Sequence, residues 1–324
     1  MRAAAEREPQ LARDALEGLA AYQDAPRTLS RQQRPVACGI AGATLRHCGG
    51  DGPPLVLVPS LINPPSVLDL DPEVSLVDSC TAMDRQVLLL DWGPATGRAM
   101  LSIDGHVEEL LIPLLRHLDA PAAIAGYCLG GTMAIAAANL TPVERVVTMA
   151  SPWNFSAYPT DGRASLARLW QHSRAAAESL GALPMEVLQS AFWSLDPERT
   201  VAKFSRFAHF EPNSAEARRF VALEDWANEG EPLPIPAARE LIEDFFGADL
   251  PGQGQWRVGQ RTISDALTVP ALHLTARTDR ITPAVTAPAH AGSVVGIDSG
   301  HVGMIVGSAR GQLLAALRSF LSHA

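Results

Sequence analysis

The sequence predicts an α/β protein: a mostly parallel sheet with flanking helices, interrupted after its fourth parallel strand by a helical cap. Three observations carry that expectation. In the first half, short apolar runs alternate with helix-forming stretches, the pattern of buried parallel strands joined by crossover helices. From Ser151 to about Asp265 the alternation stops and aromatic, helix-like sequence takes over. Afterwards two more strand-like runs and a closing helix resume the first pattern. The expected division is therefore a core of residues 1–150 and 266–324 with a cap of residues 151–265 inserted into it, one catalytic unit in all.

Bulk properties narrow the function classes. A formal net charge of −9, with no basic patch, argues against nucleic acid or an anionic membrane surface as the main partner. The four cysteines, Cys38, Cys48, Cys80 and Cys128, form no C-x-x-C pair, so neither a zinc site nor a disulfide framework is indicated. The first 27 residues are charged throughout, unlike a signal peptide, and no apolar run is long enough to span a bilayer. A reduced, cytoplasmic compartment is expected, where a cysteine stays a thiol.

Each element has its own signal. Leu11, Ala15, Leu19 and Ala20 recur at near-helical spacing, predicting an amphipathic helix over 3–22 that packs on the domain surface. Residues 36–45 read as an early antiparallel strand or hairpin, and Gly49-Gly50-Asp51-Gly52-Pro53-Pro54 as a turn. Leu55-Val56-Leu57-Val58 is a central strand that empties into the proline-stiffened loop Pro59-Ser60-Leu61-Ile62-Asn63-Pro64-Pro65. Residues 73–83 read as a short helix, 87–91 as a second parallel strand closed by Asp91-Trp92-Gly93-Pro94, and 104–118 as a helix. Ala122-Ala123-Ile124-Ala125 and Arg145-Val146-Val147-Thr148-Met149 are the third and fourth parallel strands. In the cap, helices are expected at 163–180, 184–194, 214–228 and 236–246, broken by Pro184, Pro197, Pro212 and the 232–236 proline run. Residues 269–275 and 293–298 complete the sheet, and a helix over 311–322 closes the chain.

The chemistry concentrates where the third parallel strand ends. Gly126-Tyr127-Cys128-Leu129-Gly130-Gly131 lies between that strand and the helix-forming run Thr132-Met133-Ala134-Ile135-Ala136-Ala137-Ala138. Strand, glycine-flanked nucleophile and helix make the nucleophile elbow of the α/β-hydrolase fold, with cysteine in place of the usual serine. Glycines on either side keep side chains from colliding in a sharp turn whose central residue is held in a strained backbone conformation. A cysteine at a helix N-terminus has its thiolate favoured by the dipole, and the Leu129 N–H faces the same place. A structural cysteine buried in a glycine-rich turn is the competing reading.

In such folds the nucleophile comes first, the acid next and the histidine last. Cys128, Asp279 and His301 obey that order, and the acid and the histidine each follow a strand end, where loops of an open α/β sheet converge. Asp298 is a rival acid, placed at the strand end rather than in the loop. His273 reads as a core histidine inside a strand, and His290 as a surface residue. No G-x-S-x-G occurs to compete with Cys128.

Several segments together resemble the polyhydroxyalkanoate synthases: the 126–132 elbow, Leu61-Ile62-Asn63 with Leu68-Asp69-Leu70 and Ser75-Leu76-Val77, Asp91-Trp92-Gly93, and Ser299-Gly300-His301-Val302-Gly303. Looser matches fall in the cap, at Phe192-Trp193, Lys203-Phe204 and Glu224-Asp225-Trp226. Pro64-Pro65 stand where that family usually has a basic residue or aromatics. The order and spacing hold over most of residues 50–320, and the size resembles the short catalytic subunit of the two-subunit enzymes.

The resemblance implies a thiol acyltransferase that polymerises (R)-3-hydroxyacyl-CoA with release of CoA. Cys128 would carry the acyl group, His301 would activate it, and Asp279 would assist the 3-hydroxyl of an incoming hydroxyacyl-CoA. Backbone N–H groups of Leu129 and Ile62 would form the oxyanion hole. The implied partners are the hydroxyacyl-CoA substrate, a second synthase subunit or a homodimer partner, and a polyester granule surface; no cofactor or metal is called for. A cysteine-dependent α/β-hydrolase acting on thioesters or polyesters is the alternative, and a non-catalytic granule- or partner-binding relative is the third reading.

Overall fold

The structure, a computed structural model, describes residues 8–27, 33–195, 197–290 and 292–322. Residues 3–7 of the predicted N-terminal helix lie outside the described residues, as do the side chains of Phe192 and Trp193.

Eight strands form one sheet: β1 (Val36–Ile40), β2 (Ala43–Gly49), β3 (Pro54–Val58), β4 (Gln86–Asp91), β5 (Ala123–Tyr127), β6 (Arg145–Met149), β7 (Ala271–Ala276) and β8 (Ser293–Ile297). Their spatial order is β1-β2-β4-β3-β5-β6-β7-β8. The first two form an antiparallel hairpin, and β2 also lies antiparallel on β4. Every later pairing is parallel. The expected parallel sheet is therefore present, and the hairpin expected at 36–45 forms its antiparallel edge but runs on to Gly49.

Alternation along the strands explains why they are apolar throughout. Val56, Val58, Leu88, Leu90, Ile124 and Val146 join one buried cluster, together with Leu110, Leu114, Met133 and Ile135 from helices on that side. Leu55, Leu57, Val87, Leu89, Ala123, Ala125, Leu272 and Leu274 join another, with Leu76, Leu313 and Leu317. Side chains of a strand point to opposite faces in turn, so a sheet covered by helices on both sides leaves no polar face.

Between β6 and β7 the chain runs through helices Thr160–Leu180, Met185–Leu195, Pro197–Phe207 and Ala215–Asn228. A further helical stretch follows at 235–247, wider than an α-helix from Glu240 onward. Helix Pro197–Phe207 was not expected, because Pro197 reads as a breaker; it is the first residue of that helix, where its missing N–H costs nothing.

The N-terminal helix Pro9–Asp24 packs on this inserted segment. Tyr22 donates its hydroxyl to Asp225 Oδ1 at 2.6 Å, and Arg27 pairs with Asp225 Oδ2 at 3.0 Å. Gly18 lies so close to the Phe204 carbonyl that a Cβ there would collide with it. Tyr22 also sits against the aromatic cluster of Phe204, Phe207, Phe210 and Phe220.

The site's position follows from strand order. β3 and β5 are neighbours, yet the connection from β3 leads outward to β4 while that from β5 leads the other way to β6. At such a switch point the loops beyond the carboxyl ends diverge and leave a crevice. Here those loops are Pro59–Asn63 and the turn at Cys128.

Candidate active site

Cys128 leaves β5 with φ 54° and ψ −130°, a left-handed conformation rare for a residue with a side chain. Its N–H is held by the Met149 carbonyl of β6 at 2.9 Å, and helix Leu129–Leu140 begins at the next residue. Three glycines permit this. A Cβ on Gly126 would strike Gly131, one on Gly130 would strike the Val58 and Pro59 carbonyls, and one on Gly131 would strike the Ser151 hydroxyl. Gly131, outside the pair that flanks the nucleophile, meets the same steric limit as Gly126 and Gly130. Cys128 itself is half-buried.

His301 arrives from the loop after β8, and Asp279 from the loop after β7. The His301 Nδ1–H donates to Asp279 Oδ2 at 2.7 Å. Asp279 Oδ1 accepts from the N–H groups of Ile281 and Thr282 at 2.8 and 2.9 Å, and its side chain is fully buried. Both carboxylate oxygens are thus engaged. The two loops are stitched together by Thr278 N–H to Ser299 O at 3.0 Å.

Burial acts to lower the His301 imidazole, but the Asp279 carboxylate and then the Cys128 sulfur outweigh it, including a hydrogen bond to each. His301 is pushed up to about 10, so it holds its second proton at neutral pH. The structure brings Cys128, His301 and Asp279 together in one charge-coupled cluster.

The rivals are elsewhere. Asp298 pairs with Arg277 at 2.9 Å, both largely exposed. His273 is buried against the Thr148 hydroxyl at 2.8 Å, and His290 lies exposed beside Asp265 at 2.8 Å.

For an oxyanion, Leu129 opens its helix, so its N–H has no carbonyl one turn earlier to bind. The Ile62 N–H, however, donates to the Ser60 hydroxyl oxygen at 3.3 Å. Nothing in the sequence marks that contact, and two tyrosines also border the cluster. Tyr127 stacks 5.1 Å from His301 and donates to its carbonyl at 3.3 Å. Tyr158 is close enough to Cys128 and Asp279 that, after burial, their charges help raise its phenol. Tyr127 is visible in the elbow motif, whereas nothing local marks Tyr158.

Other motif residues support the loop. Trp92 Nε1 donates to the Pro59 carbonyl at 3.1 Å. Asn63 donates to the Glu229 carbonyl at 3.2 Å, and Trp226 Nε1 donates to the Pro64 carbonyl at 2.9 Å. Asp69 is held by Arg34 at 2.9 Å and by Ser75 at 2.7 Å. Among the described residues, no group of three His, Cys, Asp or Glu is arranged to hold a metal ion, and no helix is long and apolar enough to cross a membrane.

No family model matches the chain. The poly(3-hydroxyalkanoate) polymerase subunit PhaC of Haloferax mediterranei is 26% identical over 293 residues, covering 83% of this chain and 58% of that protein. The chain thus spans less than two thirds of that relative's length. The subunit of the same name from a Synechocystis species is 25% identical over 293 residues, covering 83% of this chain and 78% of its own. Among solved structures, a bromoperoxidase from Bacillus anthracis superposes with a TM-score of 0.55 at 14% identity, covering 89% of this chain and all of that one. The resemblance read from the motifs therefore extends over most of the chain. The architecture is the α/β-hydrolase fold: a mostly parallel eight-stranded sheet with flanking helices and the elbow after β5.

Proposed function

We propose that the chain is a cysteine acyltransferase of the polyhydroxyalkanoate-synthase type, which takes (R)-3-hydroxyacyl groups from coenzyme A and joins them into a polyester. The observation that carries this reading is the Asp279–His301 hydrogen bond beside a cysteine on a strained elbow. In this scheme the Cys128 sulfur attacks the thioester carbonyl, and the carbonyl oxygen takes up the charge. The bond to the CoA sulfur then breaks, and that sulfur leaves with the proton from His301. The neutral imidazole next removes the proton of an incoming 3-hydroxyl, whose oxygen attacks the acyl-Cys128 carbonyl. An ester forms, and the Cys128 sulfur is released opposite a reprotonated His301. Thiol and thioester exchange between similar leaving groups, so the acyl-enzyme lies near balance and is readily passed on.

In the scheme Asp279, fully buried with both oxygens hydrogen-bonded, orients and charge-stabilises His301 and through it assists the incoming 3-hydroxyl. Residues 151–265 act as the cap and residues 1–150 and 266–324 as the core, although the N-terminal helix travels with the cap it packs on. The reading implies a cytoplasmic site of action and a second subunit, a second copy or a granule surface as partner. It excludes a purely binding role. The hydrolase alternative shares the first half of the scheme and differs in passing the acyl group to water, a route the common fold keeps open.

One assay separates these. With 3-hydroxybutyryl-CoA as substrate, CoA release accompanied by polymer is expected, and Cys128→Ala should abolish both. Free hydroxy acid in place of polymer supports the hydrolase. Absence of CoA release, with or without an added helical subunit, overturns both enzymatic readings.

A further inference from the structure

We propose that the Ser60 hydroxyl is a direct oxyanion donor, standing between the Ile62 N–H and the substrate oxygen. The inference rests on the acyl-transfer reading of Cys128 and assigns a group that reading did not include.

Ser60 lies two residues beyond β3, the strand beside the one that delivers Cys128. The close approach of Gly130 to the Val58 and Pro59 carbonyls presses this segment onto the first turn of the elbow helix. Ser60 is buried, and its oxygen accepts the Ile62 N–H at 3.3 Å. The N–H expected to face a developing oxyanion therefore already faces an oxygen of its own chain.

Its neighbours leave the loop little freedom to swing that N–H elsewhere. Trp92 grips the Pro59 carbonyl, Asn63 is tied to the Glu229 carbonyl, and a Cβ on Gly230 would stand only 2.6 Å from the Ile62 carbonyl. A serine hydroxyl has two lone pairs and one proton, so accepting from Ile62 leaves that proton to give. An N–H donating to the hydroxyl oxygen polarises it and strengthens the bond it donates in turn. When Cys128 attacks, the charge on the carbonyl oxygen would be met by the Leu129 N–H and the Ser60 O–H, with Ile62 acting through Ser60.

The test compares acylation of Cys128 by 4-nitrophenyl acetate and by 3-hydroxybutyryl-CoA with its alkylation by iodoacetamide, which develops no oxyanion. Loss of one oxyanion donor typically slows reaction by about 100- to 1,000-fold, and Ser60→Ala should slow acylation on that scale. Alkylation should stay unchanged, and Ser60→Thr, which keeps the hydroxyl, should recover most of the acylation rate. A Ser60→Ala protein acylated at the wild-type rate or faster overturns the assignment, the faster result meaning that Ile62 serves directly once uncovered. Equal losses in acylation and alkylation also overturn it, since they would report a disturbed sulfur. The Ser60 ratio is read on the nitrophenyl ester. A wild type that accepts the ester but not the hydroxyacyl-CoA would instead sink the substrate assignment while the ratio still decides Ser60.

Discussion

His301 is the residue whose surroundings have the most to say about chemistry. Its imidazole is pushed up to about 10 by Asp279 and Cys128 against the pull of burial. An unfolded histidine titrates near 6.5, so the stability this group contributes is fully present below about that pH and is lost as pH rises through about 10. In Asp279→Asn the leading upward cause is gone, leaving Cys128 alone against burial. The titration of His301 followed by imidazole NMR should then move down, and the alkaline loss of stability should flatten. CoA release should fall by roughly 100- to 10,000-fold, as when a histidine loses the carboxylate that orients it. An unmoved titration would show that Asp279 does not set the imidazole's charge. Sequence could rank Asp279 above Asp298 only by its place in a loop. The deciding fact, that Asp298 turns outward to Arg277, belongs to three-dimensional packing. The elbow was legible because its requirement is local: a left-handed residue between glycines announces itself in six letters. The Ser60 contact was not, because a hydroxyl two residues before an N–H is common and only the fold shows that this one is buried and accepts from Ile62.

At the scale of elements, glycines mark the approaches that cannot widen. Gly130→Ala sets a methyl against the backbone carbonyls of Val58, at the end of β3, and of Pro59, and these cannot rotate away as a side chain would. A loss of about 1–3 kcal/mol or more in chemical denaturation is expected, with activity falling further because the loop proposed to hold the oxyanion is displaced. Gly18→Ala pushes the N-terminal helix off the Phe204 carbonyl and should release that helix to proteolysis while leaving the sheet folded. Gly162→Ala is the control: it lies in helix Thr160–Leu180 with nothing near its would-be Cβ, and should gain about 0.4–1 kcal/mol. Equal behaviour of Gly18 and Gly162 variants would argue that the helix contact carries no weight. The strands and the flanking helices were readable from periodicity, since both depend on neighbours in sequence. The partner of the N-terminal helix was not, because Tyr22 and Asp225 lie two hundred residues apart along the chain.

Across the whole molecule, one buried carboxyl joins the inserted segment to the core. Glu240 accepts from the Ile103 and Asp104 N–H groups at 2.6 and 3.1 Å and from Trp256 Nε1 at 2.7 Å. Burial first, and then the charge of Asp104, push it up to about 8. An unfolded glutamate titrates near 4.3, so between roughly 4.3 and 8 the folded protein keeps a proton the unfolded chain has released. Stability should therefore decline as pH climbs through that window. Thermal melts from pH 5 to 8 should show the decline, and Glu240→Gln should reduce its slope whatever it does to the absolute Tm. His106, pushed down to about 4 chiefly by burial, adds an opposite slope below about pH 6.5, so a Tm–pH slope identical in wild type and Glu240→Gln is the result that would refute the assignment. The order of parts along the chain has a consequence of another kind. Cys128 emerges from the ribosome long before the segments that bring its acid and its imidazole, and domains consolidate as units during synthesis. On the acyl-transfer reading proposed above, a nascent chain thus holds its sulfur without acid or imidazole until the last two strands slot in beside β6.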